Sequence, residues 1–107
     1  MDSIVGFNLR LMTGFFKTEQ YFIWVYGDMI GLHPQDSTNR TIVIPHSKLR
    51  SISLCIQLRE MEIIACDEVF VGRLSAECNI EVVLAVLASV FGAQLVLESY
   101  QFGADSL

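Results

Sequence analysis

The residues of this chain that could do chemistry are concentrated between positions 33 and 50. The segment holds both histidines, three of the seven lysines and arginines, and the pair His46-Ser47. A histidine beside a serine indicates a base next to a nucleophile, but catalysis needs hydrogen-bond reach and a third, orienting group. Neighbours along a strand point to opposite faces of a sheet, and no GxSxG motif supports Ser47. We therefore expect no catalytic residue and no enzymatic activity.

The same segment contains a cluster of basic side chains. Its members are His33, Arg40, His46, Lys48 and Arg50. Guanidinium and ammonium groups bind phosphate and carboxylate oxygens through charge-assisted hydrogen bonds. These residues are therefore the candidates for binding a ligand or a partner, and the alternative is that they are solvated loop residues.

The cysteines give little support for a metal site or a disulfide framework. Cys55, Cys66 and Cys78 include no CxxC pair, whereas structural zinc sites usually place two ligands close together in sequence. An odd number of cysteines in a chain that is not rich in them indicates buried, reduced thiols in a cytosolic protein. We expect no metal and no other cofactor.

The charge balance is acidic, with a net charge of −5 and only seven lysines and arginines. Such a chain repels nucleic acid unless its basic groups gather on one face, so we expect no nucleic-acid binding. An acidic surface suits a basic protein partner. The acidic residues around two predicted turns are Glu60, Glu62, Asp67 and Glu68. We interpret them as a solvated face, with capture of a basic partner as the alternative.

Length and composition predict one domain over residues 1–107. The chain is 52% hydrophobic and 18% charged, which is enough apolar material for a single core. The N-terminus lacks a basic region followed by a long apolar one, so we expect a cytoplasmic protein without a secretory signal. The most apolar window, residues 82–97, is shorter than the roughly 20 residues of a membrane-spanning helix.

Period-two patterns predict a series of short strands before residue 75. The predicted strands cover residues 4–16, 21–26, 29–33, 41–44, 50–58, 61–65 and 68–74. Gly27-Asp28 suits the tight turn of a hairpin, and Pro45 marks a corner between strands rather than a site. Phe22, Trp24 and Tyr26 share one face of their strand. We interpret them as core, with a ligand-binding shelf as the alternative.

The period then changes and predicts one helix over Ile80–Phe91. Asn79 suits its N-cap and Gly92 its end. The helix is apolar almost all round, which indicates burial on more than one side. A sheet could cover one side and a second subunit another, with an interface at Val83, Val86 and Val90. Alternatively, the tail could fold back over the helix. Residues 93–107 fit a last strand, a helix extension or a free tail.

Residues 41–54, TIVIPHSKLRSISL, follow the predicted hairpin and resemble the bacterial PH and GRAM-like (pleckstrin-homology-like) domains. In those domains a hairpin precedes a strand reading roughly I-x-I-P-x-x-x-I-x-x-I. The matching residues are Ile42, Ile44, Pro45, Leu49 and Ile52. The resemblance covers about residues 21–92. It implies a mainly β (α+β) fold, a small antiparallel barrel or sandwich of about six to seven strands with one long apolar C-terminal helix.

The resemblance also implies a binding module, but the fold does not determine the ligand. The favoured function is a non-catalytic protein-binding module that belongs to a larger assembly or forms a homo-oligomer through its helix. A second is a small acidic regulator or inhibitor that binds a basic surface of a nucleic-acid-binding machine. A third is a module that binds a phosphoinositide or another anionic headgroup through Arg40, Lys48 and Arg50.

Overall fold

A computed structural model of the protein describes residues 5–14, 16–35 and 40–98. Among these residues, seven strands precede one helix and an eighth strand follows it. In chain order they are β1 Val5–Gly14, β2 Lys17–Val25, β3 Met29–Pro34, β4 Ile42–Pro45, β5 Leu49–Cys55, β6 Glu60–Ala65, β7 Val69–Leu74, α1 Ile80–Phe91 and β8 Leu95–Glu98. The ends of the first predicted strand, the 36–39 loop and the tail beyond residue 98 contain positions outside the described residues.

All eight strands belong to one sheet, in the order β4-β3-β2-β1-β7-β6-β5-β8. Every neighbouring pair is antiparallel except β5 and β8, which run parallel. Apolar residues from both halves of the sheet and from α1 form a single buried cluster. The sheet is therefore bent around one core that α1 covers, which agrees with the predicted fold class.

The inward face of β2 differs from the prediction. Tyr21, Ile23 and Val25 are buried, whereas Phe22 is half-buried and Trp24 is 37% exposed. The interpretation of the aromatic stripe as core is wrong. Both faces of β2 carry apolar residues, and the pairing with β1 determines which face is buried. Tyr21 and Ile23 lie opposite the buried residues of β1, so the aromatic stripe faces outward.

The strand predicted over residues 50–58 is also shorter and shifted. Its pairing register with β6 shifts between Leu49 and Ser51. At this bulge Arg50 is exposed and does not share the buried face of Ile52 and Leu54. β5 ends at Cys55, and the chain turns through residues 56–59. Arg59 has a φ of 56° in that turn, a left-handed conformation that stops the strand.

The helix occupies the predicted residues, Ile80–Phe91. The Asn79 side chain accepts hydrogen bonds from the backbone amides of Glu81 and Val82, which satisfies two of the unpaired amides of the first turn. The residues of α1 that are fully buried are Val83, Leu87 and Phe91.

Two open points of the sequence are decided by the fold. Pro45 is the last residue of β4 and precedes a short 3-10 turn, His46–Lys48, so the predicted corner is confirmed. Residues 95–98 of the tail form a strand rather than more helix. β8 adds to the edge of β5 as a parallel strand, and three of its four residues are exposed.

Candidate functional site

The candidate site lies beside a part of β1 whose backbone has a neighbouring strand on one side only, among the described residues. β1 pairs with β2 along its length, from Val5 onward, but pairs with β7 only at Leu9–Leu11. The two strands approach closely there, because a Cβ on Gly72 would lie 2.8 Å from the Leu9 side chain and 2.9 Å from the carbonyl of Arg10. β7 then ends at Leu74. Among the described residues, positions 6–8 of β1 have no strand on this side.

A cleft of about 370 Å³ lies along this edge. Its lining residues are Gly6, Phe7, Asn8, Phe22, Ser75, Glu77, Cys78, Asn79, Val82 and Val83. Three of these are consecutive in β1, and consecutive side chains alternate between faces. The cleft therefore runs along the strand backbone, and the 75–79 segment and the first turn of α1 form its opposite wall.

Apolar groups cover both ends of the cleft. The Phe22 ring lies where a Cβ of residue 6 would be, so glycine at this position lets the ring pack against β1. Phe22 also makes an edge-to-face contact with Trp24, with ring centroids 4.9 Å apart. On the helix side, Val82 is 49% exposed. Phe22 and Val82 therefore offer apolar contacts to bound side chains.

The polar groups of the cleft are held by neighbouring side chains. The Asn8 Oδ1 accepts a hydrogen bond of 2.7 Å from Nε2 of Gln35, and the Asn79 side chain caps the helix. Glu77 is exposed and supplies a negative charge at the wall. The site therefore suits a ligand that combines apolar and basic groups.

Arg59 shapes the far wall, and the sequence patterns did not single it out. Its guanidinium donates to the carbonyls of Ser75, at 2.7 Å, and Cys78. Its own carbonyl accepts a 2.8 Å hydrogen bond from the amide of Leu74. One arginine therefore ties the end of β7 and the 75–78 loop to the turn after β5. Such a role depends on long-range contacts, which leave no periodic signal in sequence.

The three cysteines differ in exposure, and only Cys55 is buried as expected. Cys66 is exposed, whereas Cys78 is half-buried in the cleft. Burial raises the pKa of the Cys78 thiol above its ordinary value, and the nearby positive charge of Arg59 opposes that rise. The raised pKa keeps Cys78 protonated at neutral pH. Because the thiolate is the reactive form, Cys78 should react slowly with alkylating reagents.

We expect iodoacetamide to alkylate Cys66 before Cys78 at pH 7. The alkylation rate at Cys78 should rise only as the pH exceeds the pKa of a free thiol, which is roughly 8.5. Mass spectrometry of peptides taken over a pH series measures both rates. A Cys66→Ser chain serves as the control that isolates Cys78 from the exposed thiol. Equal rates at the two cysteines at pH 7 would contradict this expectation.

The predicted basic residues do not form one site. Their side chains are exposed at two separate places. His33 bonds to Thr41 through Nδ1 at 2.7 Å, beside Arg40 at one end of the β3–β4 pair. His46 lies at the other end, stacked on Phe91 with ring centroids 5.5 Å apart. Four residue pairs separate the two ends, which is roughly 13 Å of strand.

Lys48 lines a cleft that it shares with acidic groups. This second cleft, of about 160 Å³, is also lined by Asp67 and Glu68. Two carboxylates beside one ammonium give a negative local charge that disfavours phosphate. Binding of a ligand by the five basic residues stays a prediction.

The three residues of the predicted helix interface differ in their burial. Val83 is 2% exposed, so its side chain is covered within its own chain and offers no surface to a second subunit. Val86 and Val90 are half-buried against the core. A contact with a second copy through these two residues stays a prediction.

The acidic residues are spread over the second half of the sheet. Glu60 forms a 3.0 Å ion pair with Arg73 in which both side chains are exposed. In the described parts of the chain, no group of three or more histidine, cysteine or acidic side chains could hold a metal ion. No helix of these parts has the length and apolar character needed to cross a membrane.

The strand order and the covering helix define a pleckstrin-homology-like fold, and comparison with solved structures confirms the predicted resemblance at this level. The N-terminal PH domain of human ARAP2 superposes with a TM-score of 0.65 at 14% identity, over 92% of this chain and 87% of that one. A chain of the Spt16D Pob3N heterodimer superposes with a TM-score of 0.67 at 13% identity, over 95% of this chain and 58% of that one. No protein-family model and no curated protein matches the sequence.

Proposed function

We propose that this chain is a non-catalytic protein-interaction module of a larger assembly, and that it binds its partner in the cleft between β1 and the start of α1. The observation that carries the proposal is the free edge of β1 beside apolar walls. The cleft volume of about 370 Å³ lies within the roughly 300–1,000 Å³ of ligand pockets. A structurally similar chain belongs to a two-protein complex, the Spt16D Pob3N heterodimer.

The distribution of charge favours a protein over an anionic headgroup. Among the described residues that line the cleft, Glu77 is the charged one, while the guanidinium of Arg59 lies behind the far wall, bonded to the carbonyls of Ser75 and Cys78. The net charge of the chain is −5. The cations Arg40 and Lys48 belong to the two separate basic groups, and Lys48 faces carboxylates. A basic partner is attracted to such a surface, whereas a phosphate is repelled.

The proposal is tested by recovering partners of the tagged full chain from its native cell, with Val82→Glu as the cleft variant. Val82 is the third residue of the helix, where glutamate is favoured, so the variant keeps its fold. Val69→Glu is the matched control, because Val69 is 56% exposed and lies outside the cleft. We expect the dominant partner to be lost with Val82→Glu and retained with Val69→Glu.

Salt and vesicles separate the remaining functions. If high salt releases the partner, the chain acts as an acidic regulator that binds a basic surface. If the partner stays bound in high salt, the two proteins meet through an apolar subunit contact. Binding to phosphoinositide vesicles that is lost when Arg40, Lys48 and Arg50 become alanine would replace the proposal with headgroup recognition. A partner retained by Val82→Glu would exclude the cleft as its site.

A further inference from the structure

We propose that the partner enters the cleft as an extended, basic peptide that adds a strand to the free edge of β1. This inference rests on the proposed function and names how the partner is recognised. The peptide would lie beside Gly6–Asn8, in the line that β7 follows at Leu9–Leu11. The sheet would thereby continue past the point where β7 turns toward α1.

The backbone of β1 supplies the main recognition. Along a strand, amide and carbonyl groups point alternately to its two sides, and β2 occupies one side of β1. On the other side, the backbone groups of Gly6 and Asn8 face the cleft without a strand partner among the described residues, whereas those of Phe7 point to β2. Unpaired groups on an exposed edge are a template for an added strand. An incoming peptide satisfies them with its own backbone.

The contrast with β5 supports this use of an edge. The edge of β5 is covered by β8 of the same chain, and the amide of Ile52 donates to the carbonyl of Gln94 at the start of that pairing. The edge of β1 has no such cover at positions 6–8 within the described residues. The chain therefore closes one internal edge with its own strand and leaves a second edge facing a lined cleft.

The walls of the cleft define the side chains that the peptide should carry. Side chains of an added strand alternate between the two faces of the sheet. On the outer face they meet the ring of Phe22, and toward the helix they meet the exposed part of Val82. Glu77 at the wall pairs with a lysine or arginine. The expected ligand combines bulky apolar residues on both faces with a lysine or arginine near Glu77, and it lacks proline.

A phage-displayed library of random 12-residue peptides, selected on the immobilised full chain, provides the probe. We expect enriched peptides that combine bulky apolar and basic residues, and their affinity should fall at least tenfold with Val82→Glu and not with Val69→Glu. Glu77→Gln should reduce both their affinity and its salt dependence. Hydrogen exchange should slow at the amides of Gly6 and Asn8 when a peptide is bound, whereas the amide of Phe7, which points to β2, should not change.

Backbone N-methylation of the best peptide distinguishes a strand from any other bound form. Methyl groups at alternate positions should each weaken binding at least tenfold, while those between them have little effect, because only alternate amides face β1. Methylation without this alternation, protection at other amides, or no enriched peptide would overturn strand addition. If the cellular partner is still lost with Val82→Glu, the proposed function survives that outcome. A dimeric chain with the amides of Gly6 and Asn8 protected would replace the peptide with a second copy.

Discussion

Replacing Phe91 with alanine is expected to lower the free energy of unfolding by about 3–5 kcal/mol, the usual cost of deleting a buried aromatic side chain. Phe91 is 1% exposed and is among the largest fully buried side chains. It lies in the last turn of α1, and its ring also stacks on His46. Domains of this size are stable by about 5–15 kcal/mol, so the variant should lose a large share of its stability.

Urea denaturation followed by the fluorescence of Trp24 measures this loss. Val82→Ala is the matched control, because Val82 lies on the same helix but is 49% exposed. Its change should stay within about 0.5 kcal/mol, as for most exposed positions. Similar midpoints for the two variants would show that the end of α1 does not belong to the core.

Replacing Arg59 with alanine is expected to cost about 2–3 kcal/mol, because the change removes charge-assisted hydrogen bonds and leaves two carbonyls to find other donors. Those carbonyls belong to Ser75 and Cys78, which form the far wall of the cleft. Thermal and urea unfolding measure the loss of stability. Faster hydrogen exchange at the amide of Cys78, which donates to the carbonyl of Ser75, would report that the wall has loosened.

Two controls separate the contributions of Arg59. Arg73→Ala removes an exposed ion pair with Glu60, which should cost less than about 1 kcal/mol. Arg59→Gly removes the same guanidinium but relieves the left-handed φ of 56°, so it should be about 1 kcal/mol more stable than Arg59→Ala. Equal losses for Arg59→Ala and Arg73→Ala would contradict the role of Arg59 in holding the loop.

Local signals were enough to predict much of this fold from sequence. Asn79 and Gly92 are helix-boundary residues whose effects act within one turn, and the helix occupies the predicted range. The corner at Pro45 also follows from one residue, since proline cannot donate to a sheet. β6 and β7 lie within one residue of their predictions, because their alternation is regular and short turns separate them.

Features that depend on distant residues could not be predicted in this way. Both faces of β2 are apolar, so pairing with β1 decided that Phe22 and Trp24 face outward. β8 joins the edge of β5, which lies about 40 residues earlier in the chain and has no local pattern that indicates a parallel neighbour.

The candidate site shows the same division. The sequence determined the residue types and the helix that carries Val82, but its basic cluster is divided by the length of β3 and β4. The cleft exists because β7 leaves β1 after Leu74 and Arg59 holds the next loop at a distance. Strand divergence and hydrogen bonds across 16 residues of chain arise from packing around a common core, so only the tertiary structure could bring these residues together.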